Sequence, residues 1–196
     1  MGDLIAGLLV YFFRNISQGL EGWIKDPEYL GGKHLRLQKG IYLSFMDKFV
    51  EPFKRVMPNA VLQFEDFSGT KAFEILNRYR NNTRCLNDDI QGTGAVVYAA
   101  VLGALDCSKK KLEDSVIVIH GAGAGGIGIA RQLLDGLCSR GLSRDDALAK
   151  IYVTDSKGLI YEGRGDELPD HKAEFAMTGD FSGKVSLLDL VKKGDF

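Results

Sequence analysis

Two pairs of acidic residues, set close together in the chain, have the composition of a metal site. Glu65 and Asp66 lie in the segment QFEDF, and Asp88 and Asp89 lie in the segment NDDIQGT. Mg²⁺ and Mn²⁺ prefer carboxylate oxygens, and a site with few protein ligands leaves positions open for substrate and water. Paired acids are more often solvated surface, so the pattern alone leaves both interpretations open.

A glycine-rich segment later in the chain is typical of a dinucleotide site. Residues 115–120 (SVIVIH) predict a strand that is buried on both faces, and GAGAGGIG follows and opens a predicted helix. The motif GxGxxG fits two registers, and we choose Gly121, Gly123 and Gly126 because this register starts directly after the strand. The alternative register is Gly123, Gly125 and Gly128. A strand before the glycines and a helix after them favour phosphate binding at the helix N-terminus.

A second strand, at residues 151–155 (IYVTD), ends in an acid. Asp155 is placed to accept hydrogen bonds from the ribose of a bound adenosine. It lies farther from the glycines than the usual ~20 residues. An extra short helix at residues 143–150, which begins with a capping pattern at Ser143, accounts for the excess.

The elements around the acidic pairs follow from hydrophobic spacing. Residues 60–64 predict a buried strand that ends at the first pair, and a helix with Thr70 as its cap follows. An earlier amphipathic helix ends before Pro58, and its predicted core face consists of Tyr42, Phe45, Met46, Phe49 and Phe53. The basic stretch 77–84 is either a solvated helix end or a source of an arginine for an anionic ligand.

The stretch from Gln91 to Leu105 is apolar nearly all round, which predicts a buried helix. Asn87 or Asp88 is a candidate cap for this helix. Capping would explain one acid of the second pair but not both, and it leaves the first pair unexplained.

Composition limits the remaining possibilities. The chain has 196 residues and a net charge of −1, so we expect neither nucleic acid nor an anionic membrane as a partner. The three cysteines form no CxxC motif, which predicts buried thiols in a reducing compartment and neither a disulfide framework nor a zinc site. The apolar run from Leu4 to Phe13 is shorter than the roughly 20 residues of a bilayer-spanning helix, and it lacks the basic start of a secretory signal. We interpret it as a helix packed against protein.

Four motifs, in this order and spacing, resemble the central part of the malic enzyme family. They are QFEDF, NRYRNNTRCLNDDIQGT, HGAGAGGIGIA and IYVTDSKGLI, and the resemblance runs from about Lys25 to about Phe196. It implies oxidative decarboxylation of L-malate to pyruvate and CO₂, with NAD or NADP and with Mn²⁺ or Mg²⁺.

The resemblance also implies roles for individual residues. Glu65, Asp66 and Asp89 would hold the metal, and Asp88, the candidate catalytic residue, would assist removal of the proton from the 2-hydroxyl of malate. The candidate cofactor-binding residues are Asp89, Gly121, Gly123, Ala124, Gly126, Asp155, Ser156 and Lys172.

Two features bear on the choice between NAD and NADP. An acid at the end of the second strand, here Asp155, favours NAD because it repels a 2′-phosphate. Ser156 and Lys157 follow it, however, as in many NADP-using malic enzymes, and Lys172 is in register with the family lysine that faces the 2′-phosphate. We predict NADP over NAD; the alternative is that both lysines are ordinary surface residues.

Some departures from the family pattern limit the prediction. The family's catalytic tyrosine and lysine belong to segments upstream of Lys25, and no stretch of residues 1–24 matches them. Gly69 stands where the family usually has asparagine. We therefore expect a segment of a malic enzyme that is inactive by itself. The alternatives are the related malolactic enzyme, which releases lactate, and a non-catalytic nucleotide-binding remnant.

The predicted fold class is α/β. Residues 107–196 would form part of a Rossmann-type NAD(P)-binding domain with a parallel sheet, and residues 1–106 part of an N-terminal catalytic domain that carries the metal ligands. The expected partner is a small-molecule substrate, malate or pyruvate, and the family implies a homo-oligomer at full length. No clear targeting signal is present in the sequence, so we expect a cytoplasmic or mitochondrial location.

Overall fold

The computed structural model describes Pro27, Leu30 and residues 37–179, 181 and 185–195. The apolar run from Leu4 to Phe13 lies outside the described residues. The described residues fall into two compact units, which divide between Asp88 and Asp89. This division lies earlier in the chain than the boundary predicted between residues 106 and 107.

The first unit contains two helices and a two-stranded parallel sheet. Its elements are helix α1 (Lys39–Val56), strand β1 (Leu62–Phe64), helix α2 (Gly69–Tyr79) and strand β2 (Cys85–Asn87). The strands β1 and β2 pair in parallel, in register from Leu62 with Cys85 to Phe64 with Asn87. Helix α2 is the crossover that a parallel pair requires.

The buried face of α1 agrees only in part with the predicted one: Tyr42 and Met46 are buried as expected, whereas Phe45, Phe49 and Phe53 are not fully buried. Tyr42, Met46 and Val50, spaced four residues apart, are buried, whereas Phe45 is 38% exposed. Phe49 and Phe53 stack on each other with ring centroids 6.4 Å apart. Residues spaced four apart lie on one face of a helix. The residues on the face that packs against the protein are buried, even where a neighbouring residue has a larger side chain.

Helix α2 buries the apolar face expected from the sequence but begins at Gly69, so Thr70 is not its cap. A carboxylate on α1 joins the two helices. Asp47 accepts hydrogen bonds from Arg78 Nε at 2.8 Å, from Arg78 Nη2 at 2.6 Å and from the Tyr79 hydroxyl at 2.7 Å. Arg78 lies in the last turn of α2 with its side chain 43% exposed, as the interpretation of a solvated helix end expects, and its charge also pairs with Asp47 of α1.

The second unit is built around a three-stranded sheet. A π-helix (Asp88–Gly92) leads into it across the division, and a 3₁₀ turn (Leu112–Asp114) precedes its first strand. The strands are β3 (Ile117–His120), β4 (Ile151–Asp155) and β5 (Gly158–Leu159). The helices are α3 (Thr93–Ser108), α4 (Ala124–Cys138), α5 (Arg144–Leu148), α6 (Asp170–Ala173) and α7 (Leu187–Lys193).

The sheet order is β3-β4-β5, with β3 and β4 parallel and β4 and β5 antiparallel. Helices α4 and α5 form the crossover between the parallel strands, and the Ser143 side chain caps α5 by accepting a hydrogen bond from the Asp146 backbone. The last paired residues of the two strands are His120 and Thr154. The α/β fold class with a parallel sheet is confirmed.

Helix α3 is apolar, as the sequence indicated, but the prediction that it is buried is wrong. Only Gly94 and Leu105 are buried among its residues, and Val96 is 70% exposed. Hydropathy reports composition, whereas burial depends on how many neighbours cover the helix. Helix α4 covers one side, where the Tyr98 hydroxyl accepts a hydrogen bond from Arg140 at 2.6 Å.

By length and composition alone, one helical segment among the described residues, Asp88–Ser108, would suffice to cross a membrane. This segment includes α3, and core helices of soluble proteins meet the same criterion.

Candidate functional site

The acidic pairs follow the carboxyl ends of paired parallel strands. Phe64 and Asn87 are the last partners of β1 and β2, and Glu65 and Asp88 are the next residues of their respective chains. Because parallel strands end at the same edge of the sheet, Glu65 and Asp88 lie at one edge. This is the edge at which ligand sites collect in open α/β sheets.

The backbone at Asp66 is unusual. Asp66 has φ +61°, in the left-handed region that few residues other than glycine adopt. Its conformation turns the chain sharply between β1 and α2. Both Glu65 and Asp66 are partly exposed, so their carboxylates remain within reach of solvent and of a dissolved ion.

The second acidic pair lies on the π-helix Asp88–Gly92. A single π-turn is rare and is frequently found at functional sites. Helix α3 begins after this turn with Gly92 at its N-cap, so neither Asn87 nor Asp88 caps it, contrary to one of our interpretations. The capping explanation for the second pair is therefore removed, and Asp88 and Asp89 are both partly exposed.

The described residues contain no cluster of three or more histidine, cysteine, aspartate or glutamate side chains that could hold a metal ion. The proposed ligands are divided between the units, with Glu65 and Asp66 in the first and Asp89 at the start of the second. The structure brings Glu65 to the same sheet edge as Asp88, and the three-ligand set remains a prediction. The chemistry of the donor set, carboxylates without thiols or imidazoles, fits Mg²⁺ or Mn²⁺.

The glycine-rich turn connects β3 to α4. Gly121, directly after the strand, has φ +119°, a conformation strained for any side chain. A Cβ on Gly126 would lie 1.7 Å from the Gly121 carbonyl oxygen, so the turn requires glycine at both positions. Gly123 is the N-cap of α4, and a Cβ there would meet no atom within 4 Å. The turn thus leaves open space at the N-terminus of a 15-residue helix, where Ala124 is the first residue.

Gly128, which belongs to the alternative register of GxGxxG, is required for helix packing. A Cβ on Gly128 would lie 2.0 Å from the Ile90 carbonyl oxygen. A Cβ on Gly94 would lie 2.7 Å from the Gly128 carbonyl oxygen. Gly94 and Gly128 let the backbone of α4 approach the backbones of α3 and the π-helix closely. Gly121 and Gly126 instead shape the turn between β3 and α4.

Asp155 ends β4 and is the centre of a charged cluster. Its Oδ1 accepts hydrogen bonds from the Lys157 backbone at 2.9 Å and from Arg164 Nη1 at 2.9 Å. Its Oδ2 accepts from Arg164 Nη2 at 3.1 Å and from Lys172 Nζ at 2.8 Å. Burial by itself would raise the pKa of Asp155, but the hydrogen bonds from Arg164 and Lys172 outweigh it and hold the pKa well below its ordinary value.

Sequence reasoning missed the second half of this cluster. Arg164 Nε donates to Asp166 Oδ1 at 2.6 Å, and Lys157 Nζ donates to Asp166 Oδ2 at 2.9 Å. Hydrogen bonds from Arg164 and then Lys157 lower the pKa of Asp166. The segment after Gly158 reads as polar loop, and nothing in it marks Arg164 as the partner of a strand-end acid. Ser156, the remaining cofactor candidate, is exposed in the turn between β4 and β5.

A cavity of about 460 Å³ opens beside this cluster. Lys157 and Arg164 supply charge to its wall, and the rings of Tyr161 and Phe181 lie 5.8 Å apart, centroid to centroid. Flat aromatic walls next to cations suit a planar base that carries phosphate.

Comparison with known proteins agrees with this geometry. Residues 90–194 match the family described as malic enzyme, NAD binding domain, and residues 15–80 match malic enzyme, N-terminal domain. The chain belongs to the malic enzyme family. Enzymes of this family use NAD(P) and a divalent metal, and the matches do not decide between NAD and NADP or between one metal and another.

The similar proteins include enzymes with two different names. The chain is 42% identical over 157 residues to the NADP-dependent malic enzyme of Mus musculus, covering 80% of the chain and 27% of that protein. It is 39% identical over 167 residues to the malolactic enzyme of Lactiplantibacillus plantarum, covering 85% of the chain and 30% of that protein. The chain therefore spans less than a third of the length of these relatives.

Solved structures show the same relationship. The Entamoeba histolytica malic enzyme matches with a TM-score of 0.60 and 28% identity, over 76% of this chain and 30% of that one. The NAD-dependent malic enzyme of Thermotoga maritima matches with a TM-score of 0.56 and 26% identity, over 76% of this chain and 43% of that one.

Proposed function

We propose that this chain is part of an enzyme that oxidatively decarboxylates L-malate to pyruvate and CO₂, with NADP and Mn²⁺ or Mg²⁺. The observation that carries the proposal is the arrangement of β1 and β2. It sets carboxylates from two separate motifs, at Glu65 and Asp88, at the carboxyl edge of one parallel pair. A dinucleotide-type turn follows in the second unit of the same chain.

Glu65, Asp66 and Asp89 are the proposed metal ligands. A divalent cation bound by them would polarise the oxygens of a 2-hydroxy acid. Asp88, the neighbour of a ligand, would accept the proton that leaves the substrate hydroxyl as the hydride departs. The partly exposed positions of these acids support this assignment, because a substrate needs a direct approach to them.

The turn from Gly121 to Gly126 is the proposed seat of the dinucleotide phosphates. Backbone N–H groups at the start of α4 would donate to the pyrophosphate, and the helix dipole favours negative charge there. The open space at Gly123 supports a close approach of the phosphates to the backbone.

NADP is proposed over NAD because of the charges around Asp155. Three cations, Lys157, Arg164 and Lys172, face the carboxylates of Asp155 and Asp166, which leaves one net positive charge among these residues. Lys172 and Lys157 are partly exposed and so have N–H donors within reach of a 2′-phosphate.

Mn²⁺ binding by calorimetry tests the metal assignment. We expect binding in the micromolar-to-millimolar range, on the order of 4–8 kcal/mol, and a strong loss in Glu65→Gln and in Asp89→Asn. Glu51→Gln is the matched control, because Glu51 is an exposed acid of the first unit on α1. Equal affinity in the unaltered chain and in all three variants would rule out these ligands.

The malolactic reaction is the second candidate, and the 39% identity to a malolactic enzyme over 85% of the chain favours it. The product separates the two functions. Incubation of the full-length protein with malate, Mn²⁺ and dinucleotide yields pyruvate and a reduced dinucleotide in the first case and lactate in the second. Dinucleotide binding without either product would identify a non-catalytic nucleotide-binding protein.

The proposal extends to partners and place. We propose a homo-oligomer at full length, without nucleic acid or membrane as a partner, in the cytoplasm or the mitochondrion. The near-neutral charge of −1 supports the absence of a polyanionic partner. Light scattering of the full-length protein and cell fractionation test these statements.

A further inference from the structure

The helix that begins at the glycine-rich turn also supports the second acidic pair. Asp88 and Asp89 lie on the π-helix Asp88–Gly92, and α4 begins directly after Gly123. A Cβ on Gly125, in the first turn of α4, would lie 3.7 Å from the Asp89 carbonyl oxygen. A single methyl group would therefore fill the space between this turn and the backbone of Asp89, so α4 is adjacent to both proposed sites.

The contact is closer one turn further along α4. A Cβ on Gly128 would lie 2.0 Å from the Ile90 carbonyl oxygen and 2.8 Å from Ile90 Cα, so the two helices meet backbone to backbone. Backbone atoms cannot rotate away as side chains do, and close-packed contacts transmit a displacement from one element to the next. The position of Asp89, which precedes Ile90, is therefore tied to the position of α4.

We infer that Gly128 positions the proposed metal ligand Asp89 against the glycine-rich turn, so that the divalent cation and the dinucleotide bind cooperatively. This inference rests on the proposed function. Gly128 has no side chain to offer either ligand, and it acts through the backbone of the π-helix as a positioning residue.

Two effects make the cooperativity positive. A dinucleotide bound at the start of α4 fixes the glycine-rich turn and the π-helix that rests on α4, so less ordering remains when the cation binds. A bound cation offsets the negative charges of Asp88 and Asp89, which would otherwise repel phosphates at the same helix. Linkage then requires each ligand to strengthen the binding of the other by the same factor.

Calorimetry measures this factor in the unaltered chain. Mn²⁺ is titrated with and without saturating NADP, and NADP is titrated with and without saturating Mn²⁺. A titration of Mn²⁺ into NADP without protein is subtracted, because phosphates bind divalent cations themselves. We expect each ligand to bind at least about fivefold more tightly in the presence of the other.

Gly128→Ala tests the contact, because it changes no charge and its Cβ forces the π-helix away from α4. We expect the factor to fall close to one and Mn²⁺ alone to bind more weakly. Gly136→Ala is the matched control. It is the same exchange in α4, about 12 Å further along the helix, and its Cβ would lie 2.5 Å from the Tyr98 ring of α3. This variant should keep the factor.

The possible results separate the inference from the proposed function. If either ligand fails to bind the unaltered chain, the proposed function and the inference fail together. If both ligands bind with a factor of one, or if Gly128→Ala keeps the full factor, the inference alone is refuted. An equal loss of the factor in Gly128→Ala and Gly136→Ala would show a general effect of destabilisation and would also refute it.

A measurement on the unaltered chain decides the question if Gly128→Ala does not fold. NADP alone should slow hydrogen exchange at the backbone amides of the π-helix Asp88–Gly92, and Mn²⁺ alone should slow it in the first turn of α4. Exchange rates that do not respond to the ligand of the other site would refute the inference.

Discussion

Replacement of Gly128 by alanine should destabilise the second unit, although alanine is the better helix former. Gly128 lies in the interior of α4, where the exchange by itself would stabilise the helix by about 1 kcal/mol. The new Cβ, however, would lie 2.0 Å from the Ile90 carbonyl oxygen and 2.8 Å from the Ile90 Cα. These are backbone atoms of the π-helix, so no rotamer change relieves the contact.

The magnitude follows from the distance to be recovered. Non-bonded heavy atoms prefer separations of roughly 3.5 Å, so α4 and the π-helix must move apart by more than about 1 Å. Overpacking of this kind costs about 1–3 kcal/mol, and backbone against backbone lies at the upper end. After subtraction of the helix-propensity gain, we expect a loss of about 2 kcal/mol, which lowers the melting temperature of a unit this size by roughly 10 °C.

Gly103→Ala is the matched control. Gly103 lies on α3, the partner of α4, and a Cβ there would meet no atom within 4 Å. The same exchange should therefore stabilise the protein by about 0.5–1 kcal/mol. Thermal and urea unfolding, followed by circular dichroism, measure both. A Gly128→Ala protein as stable as the unaltered chain, or a Gly103→Ala protein destabilised to the same extent, would refute the packing argument.

Three further predictions concern charge and the glycine turn. The pKa of Asp155 is lower in the folded than in the unfolded protein, so its contribution to stability is complete above about pH 4 and is lost as the pH falls further. Below about pH 4 the urea midpoint of Asp155→Asn should therefore change less with pH than that of the unaltered chain. Asp47→Asn should cost about 1 kcal/mol, because it weakens a solvent-screened pair with Arg78 and a half-buried hydrogen bond from Tyr79. Glu51→Gln, which removes an exposed pair with Lys54, should change the free energy of unfolding by less than about 0.5 kcal/mol; equal effects of the two would contradict this ranking. Gly126→Ala should abolish NADP binding in a titration, because the new Cβ would lie 1.7 Å from the Gly121 carbonyl oxygen and distort the turn. Retained affinity would show that the turn is not the phosphate site.

Local patterns in the sequence determined the elements that carry the motifs. The predicted strand at residues 151–155 has the same bounds as β4. A short apolar run between a capped helix and a turn is too short for a helix, and its flanking signals set its ends. The Ser143 cap and the helix after Gly121 follow from side-chain and backbone preferences within a few residues. The four motifs in order were sufficient for the family.

Features that depend on partners distant in the chain were decided only by the tertiary structure. Three features depend on which elements pack beside them, and local periodicity does not encode this. They are the exposure of α3, the buried row on α1 and the π-turn at Asp88–Gly92. The charge state at the ribose end of the site belongs to the same class. Asp155 was visible from the sequence as a strand-end acid, but its neutralisation requires Arg164 to fold back across β5, and a hydrogen bond between residues nine apart in a polar loop leaves no pattern.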